Sequence, residues 1–176
     1  NYHKLVNDPE TQSGMSQEYF DSKLKYLNLK AEKANIENGF ASIFQNKQNA
    51  DNLAGKIGEL GLTELKAVSE TSEKDYTEII NGAYNEAQKI QDGNPEAESD
   101  EEKLSTEAVW NNFEAAFNDK NTEEASKWER VLVARAEKIT GNEGQDGYQK
   151  TSNEAFEQLV LQVFPNMTVE DVNALM

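Results

Sequence analysis

Residues 16–48 read SQEYFDSKLKYLNLKAEKANIENGFASIFQNKQ, and this stretch decides the fold. It holds no proline, and Ala, Leu, Lys, Glu and Gln, all strong helix formers, recur throughout. Phe20, Leu24, Leu27, Ala31 and Ala34 step by four, three, four and three, the spacing of a helical seam that a partner helix covers. Ser16 stands at the N-cap position. Gly39 interrupts the phase, after which Phe40, Ile43 and Phe44 continue an apolar face to about Gln48. The candidate partner-binding residues are therefore Phe20, Leu24, Leu27, Phe40, Ile43 and Phe44.

Outward from this helix, residues 51–60 carry Gly55 and Gly58 and are followed by Gly61. Internal glycine costs a helix about 1 kcal/mol per residue, so the expectation is a corner. Thr63 opens a second long helix with Leu65, Val68, Tyr76, Ile79, Ala83, Ala87 and Ile90 on one side, and the two helices are expected to form an antiparallel hairpin. Residues 92–102 hold six acids and no base around a Gly-Asn-Pro breaker, the pattern of a solvated linker. Beyond it, Ser105 caps a helix with Val109, Trp110, Phe113 and Phe117. Asn121, with Glu124 three residues on, starts another that Gly141 ends. A helix with Phe156, Leu159, Val160 and Val163 runs to Pro165, and Thr168 caps a last one. Trp110, Phe113, Phe117 and Trp128 at helical spacing read as core, with an exposed interface cluster as the lesser reading.

The fold class is all-α: a long N-terminal helical hairpin plus a C-terminal bundle of about four shorter helices. Its divisions are an extended segment over 1–15, the hairpin over 16–91, an acidic linker over 92–104 and the bundle over 105–176.

Charge and composition bound the function. The chain of 176 residues has 33 Asp and Glu against 17 Lys and Arg, a net charge of −16. Nucleic-acid backbones are bound by clustered bases that release counterions, so no direct nucleic-acid binding is expected. There is no cysteine, and the one histidine is His3; thiolate metal sites, cysteine nucleophiles and multi-histidine chemistry are excluded. Residues 92–103 fail as a calcium loop, because Ala97 and Lys103 stand where glycine and a bidentate glutamate are needed. Glu37, Gly61-Leu62 and Ala83-Tyr84-Asn85 follow the order of lytic transglycosylase motifs but not their spacing, and Glu64 replaces the glutamine of that pattern. Glu37 reads as an unpaired glutamate on a helix surface. Arg130 and Arg135, the chain's two arginines, share one helix; Arg135, on its apolar side, is expected to snorkel or to pair with a glutamate, with a functional anion site as the lesser reading. No catalytic, cofactor-binding or metal-ligating residues are assigned.

The charge is unevenly divided. Residues 1–50 balance six bases with six acids, while residues 51–104 carry −9 and residues 105–176 carry −7. A neutral, striped first helix beside an acidic remainder points to a non-enzymatic helical component of a larger assembly, whose partners are other protein subunits, a second copy of this chain among them. An acidic mimic occupying a basic site on another protein is the alternative, and a carboxylate-dependent hydrolase the third. No apolar run is long enough for membrane insertion. Asn1 in place of a starting methionine suggests a processed or excised chain, a history compatible with secreted, surface or particle-associated locations.

Overall fold

The heptad spacing of Leu29, Ile36, Ile43 and Ala50, all buried, organises the molecule. Gly39 and Asn46, also buried, fill the alternate positions of the same line. In the computed structural model, which describes residues 17–60, 76–141, 146–164, 166, 168 and 170, this line belongs to one continuous helix, α1 (Gln17–Leu60). Its 44 residues extend about 66 Å at 1.5 Å per residue. The other helices are α2 (Tyr76–Asp92), the single turn α3 (Asp100–Lys103), α4 (Thr106–Asn118), α5 (Thr122–Thr140) and α6 (Tyr148–Val163). The described residues contain no strand, and the protein is all-α.

Helix α1 is a spine along which two helix pairs sit in sequence. Lys25 pairs with Glu129 and Gly39 abuts Ile139, so α5 runs parallel to α1 along its first half. Helix α4 runs antiparallel there, with Lys33 on Glu107 and Tyr26 on Glu114. Along the second half, Gly39 meets Gln149 and Asn46 meets Ser152, which makes α6 parallel. Helix α2 returns antiparallel, with Ala83 and Ala87 in the cluster of Ile36 and Ile43, and Ile80 in that of Ala50. Each half is thus a three-helix bundle that shares α1. Tyr26, Trp110, Phe113 and Phe117 stack within the first half at ring separations of 5.2 to 6.2 Å. Phe156, Leu159 and Val160 fill the second.

The expected corner over 51–60 is absent: α1 continues through Gly55 to Leu60. Ala50 and Leu53 pack in the second cluster, and that burial, worth about 0.8 kcal/mol per CH₂, offsets the glycine penalty. Gly39 likewise leaves the helix unbroken. The expected start of the second helix at Thr63, and its residues Leu65 and Val68, lie outside the described residues, as do the Ser16 cap and the segment 1–15. The expected stripe is also out of phase, because Ala31 and Ala34 are exposed while Leu29 and Ile36 are buried.

The local signals of the C-terminal helices hold. Ser105 accepts from the Ala108 N–H, and Asn121 from the Glu124 N–H. Gly141, at φ 83°, closes α5.

Candidate functional site

Three chain ends converge on one side chain. The last turn of α2 and the turn α3 end in carbonyls that have room for a further donor, and the entry to α4 brings the Thr106 hydroxyl beside them. Arg135 of α5, only 7% exposed, donates to the carbonyls of Ile90 (3.1 Å), Glu101 (2.9 Å) and Leu104 (2.8 Å) and to the Thr106 hydroxyl (3.2 Å). Thr106 donates in turn to the Ile90 carbonyl at 2.6 Å. The guanidinium therefore neither snorkels nor pairs with a glutamate, as its sequence position suggested. Its charge is set against carbonyl dipoles at helix ends, a favourable arrangement for a cation. Burial pulls its pKa below the ordinary arginine value, and the charge of Glu102 opposes that shift.

The clamp changes the character of residues 92–104. They fold into a fixed segment: the Asn94 N–H donates to the Glu102 carbonyl, Asn94 Oδ1 accepts from the Glu96 N–H, and Ser99 caps α3. Gly93, at φ 91°, passes so close to the Lys103 carbonyl that a Cβ would lie 2.3 Å from it.

Between this segment, α2 and the outer face of α5 lies a cleft of about 450 Å³. Ile90, Val131 and Ala134 give it apolar walls, and Tyr148 lies at its edge. Lys89, Lys127, Arg130, Arg135 and Lys138 line it, against Glu86, Glu101 and Glu102. Lys127 reaches Glu101 at 3.5 Å and Lys89 reaches Glu86 at 3.3 Å. A backbone N–H at its own residue holds the Glu101 carboxyl below the usual range, against an opposing effect of burial and with help from Lys127. Burial raises the Tyr148 hydroxyl, and the charge of Glu86 adds to that.

A second surface lies on α1 and α2. Phe44 is 40% exposed and stacks with Phe40 at 6.4 Å and Tyr84 at 6.0 Å, while Phe40 and Tyr84 are 6.3 Å apart. Lys47 Nζ lies 5.4 Å from the centre of the Tyr84 ring.

The candidate partner-binding residues are therefore split. Phe40 and Phe44 belong to this aromatic face. Ile43 is fully buried in the core and presents nothing to a partner. Phe20, Leu24 and Leu27 are half-buried near the start of α1, with Leu24 in a shallow groove against Val133. Glu37 is on the helix surface as expected but is not unpaired, since Lys33 meets it at 3.1 Å. Trp110 and Phe113 are buried, and Phe117 and Trp128 pack against them. Sequence reasoning missed Tyr84 as a member of the aromatic face, and for the cleft it held only the lesser reading of an anion site at the arginines, without the residues of α2 and the 92–104 segment that complete it. The single clue to the cleft was that Arg130 and Arg135, the chain's two arginines, share one helix.

No group of acids and histidines suited to a metal occurs among the described residues, and no helix among them is long and apolar enough to cross a membrane. The chain matches no family model, no curated protein and no solved structure.

Proposed function

We propose that the protein is a non-enzymatic helical component that works by packing against other protein subunits, with the Phe40–Phe44–Tyr84 face as its contact. The observation that carries this reading is the Phe44 ring, held out in water on two rigid helices by stacking on its neighbours. A rigid aromatic anchor loses little conformational freedom when a partner covers it, and such anchors concentrate binding energy. The charge supports it, since Phe40 and Phe44 belong to the neutral first 50 residues and Lys47 lies over Tyr84 of the acidic stretch that follows.

The test is site-specific photocrosslinking in the source cell. A photoreactive phenylalanine at position 44 is compared with one at Asn111, which is exposed on α4. A discrete protein adduct from position 44, absent from position 111 and lost when Tyr84 is changed to Glu, is expected. Identical patterns from the two positions, or no adduct from position 44, would sink the reading. Light scattering of the purified chain over a range of concentrations tells a second copy from a different subunit.

One observation favours the acidic mimic as a second reading: the acid-rich segment 92–102 is fixed by Arg135 rather than loose. A mimic needs carboxylates on a rigid frame. Neutralising Glu96, Glu98 and Glu102 should then weaken binding to a basic peptide more than neutralising Glu18, Asp21 and Asp51 on α1. Equal losses would count against it.

A further inference from the structure

The cleft beneath the Arg135 clamp reverses the charge balance of the molecule. Acids outnumber bases 33 to 17 in the chain, yet five bases and three acids line this one cavity. Two of its glutamates are already neutralised, Glu86 by Lys89 and Glu101 by Lys127. Arg130 and Lys138, both exposed, have no ion pair among the described residues. They lie two turns apart on α5, about 12 Å along the helix axis, and border the same cavity. The buried charge of Arg135 lies behind them, hydrogen-bonded to neutral carbonyl and hydroxyl oxygens, with Glu102 the one carboxylate that acts on it.

The walls add a second requirement. Ile90, Val131 and Ala134 offer an apolar surface, and Tyr148 an aromatic edge with a hydroxyl. A cavity of about 450 Å³ falls within the range of small-ligand sites, roughly 300–1,000 Å³. An inorganic anion would leave the apolar walls wet, and a neutral apolar molecule would leave Arg130 and Lys138 unused.

We propose that this cleft is a binding site for an amphipathic organic anion, a molecule with an apolar body and one carboxylate, phosphate or sulfonate group. The body lies against Ile90, Val131 and Ala134, and the anionic group is held by Arg130 and Lys138. Arg130 supplies a planar fork suited to two oxygens of such a group, and Lys138 a mobile point charge. The surrounding field of the acidic surface repels anions elsewhere, so the site is selective by contrast as well as by contact. This inference stands apart from the aromatic face on α1 and α2 and does not depend on it.

The probe is 1-anilinonaphthalene-8-sulfonate, an apolar body carrying one sulfonate, titrated into the intact chain and followed by its fluorescence and by calorimetry. Saturable binding of one molecule per chain, weakening with added salt, is expected. Arg130→Gln with Lys138→Gln should weaken it at least about tenfold, the scale of one lost charge-assisted contact. Lys30→Gln with Lys120→Gln, an equal charge change at two exposed lysines elsewhere, should weaken it less than about twofold. The neutral analogue N-phenyl-1-naphthylamine should bind at least about tenfold more weakly than the sulfonate. All four replaced side chains are exposed, so circular dichroism of every variant should match the parent. The inference is overturned if the sulfonate does not bind saturably, if the Arg130/Lys138 variant binds as well as the parent, or if the neutral analogue binds equally. Loss of the signal in Phe44→Ala, with Arg130/Lys138 indifferent, would also overturn it, by placing the probe on the aromatic face.

Discussion

Gly39 of α1 lies directly against Ile139 of α5: a Cβ placed on the glycine would be 2.0 Å from the Ile139 Cγ2. The contact falls where the two three-helix halves meet, and Gln149 of α6 stands 3.4 Å from the same point. Helix α1 can serve both halves because it has no side chain at this crossing.

Gly39→Ala should accordingly destabilise the protein. Alanine gains about 1 kcal/mol of helix propensity over glycine. Ile139 is fully buried, however, and a 2.0 Å approach cannot be relieved by a small shift of a flexible chain. Overpacking of a tight core costs about 1–3 kcal/mol, and a clash this deep belongs at the upper end, so a net loss of about 2 kcal/mol is expected. Gly55→Ala and Gly82→Ala, where nothing lies within 4 Å, should instead stabilise by about 0.5–1 kcal/mol. Urea denaturation of the three variants checks the contrast in sign.

Arg135→Met should loosen the acid-rich segment without unfolding the helices. Methionine keeps the apolar stem and removes a buried charge, but it strands the carbonyl of Leu104, while that of Glu101 keeps the Leu104 N–H. Ile90 keeps the Thr106 hydroxyl. One part-buried acceptor without a donor costs about 1–3 kcal/mol, of which relief of the buried charge returns part, so about 1–2 kcal/mol is expected. Hydrogen exchange should accelerate over residues 93–104 more than over α6. A uniform acceleration over both would show that Arg135 stabilises the bundle as a whole and does not act as a local clamp.

How much of this was legible depends on whether a feature is local. The caps at Ser105 and Asn121 and the stop at Gly141 act within one turn, so each could be read from residues three or four apart. The core line of α1 could not. Its members Gly39 and Asn46 are a glycine and an amide, which apolar periodicity counts as interruptions, while the regular Phe20–Ala34 steps select a face whose alanines are exposed. Gly39 is in the core because a neighbour needs the room, and Asn46 because α6 offers it partners. Both reasons are tertiary. The cleft was hidden for the same cause, since its charges come from α2, the 92–104 segment and α5, which only the fold assembles.

Asn46 marks the register between α1 and α6. It is 2% exposed, and its amide donates to the Ser152 hydroxyl at 3.2 Å and to Asn153. A polar residue on a heptad core line sets alignment at a cost in stability. Asn46→Ala should cost about 1–3 kcal/mol, because it leaves Ser152 buried without that donor. Asn46→Ala with Ser152→Ala should cost less than the sum of the two single changes, since no orphaned hydroxyl remains. Additive losses in a double-mutant cycle would mean the two side chains do not share an interaction.

Alkaline pH should expose the α1–α4 contact. The Tyr26 hydroxyl donates to Glu114 at 2.8 Å; that hydrogen bond, then burial and the Glu114 charge, raises its pKa above the ordinary value. Lys33 is raised as well, by its hydrogen bond to Glu107 against an opposing effect of burial, with Glu37 adding. Both groups hold their protons more tightly in the folded chain than in the unfolded one. Their contribution is therefore fully present below the unfolded values, about 10 for tyrosine and 10.4 for lysine, and is lost as pH rises through the folded values. The parent should keep a level melting temperature from pH 7 to about pH 9 and lose stability above about pH 10. Tyr26→Phe should cost about 1 kcal/mol at pH 7 for the lost hydrogen bond. Above about pH 10 the gap between variant and parent should narrow, because the parent forfeits the same bond on ionisation. Thermal melts of both proteins across this range decide the matter: a gap that stays constant to pH 11 would show that the Tyr26–Glu114 contact does not govern the alkaline limb.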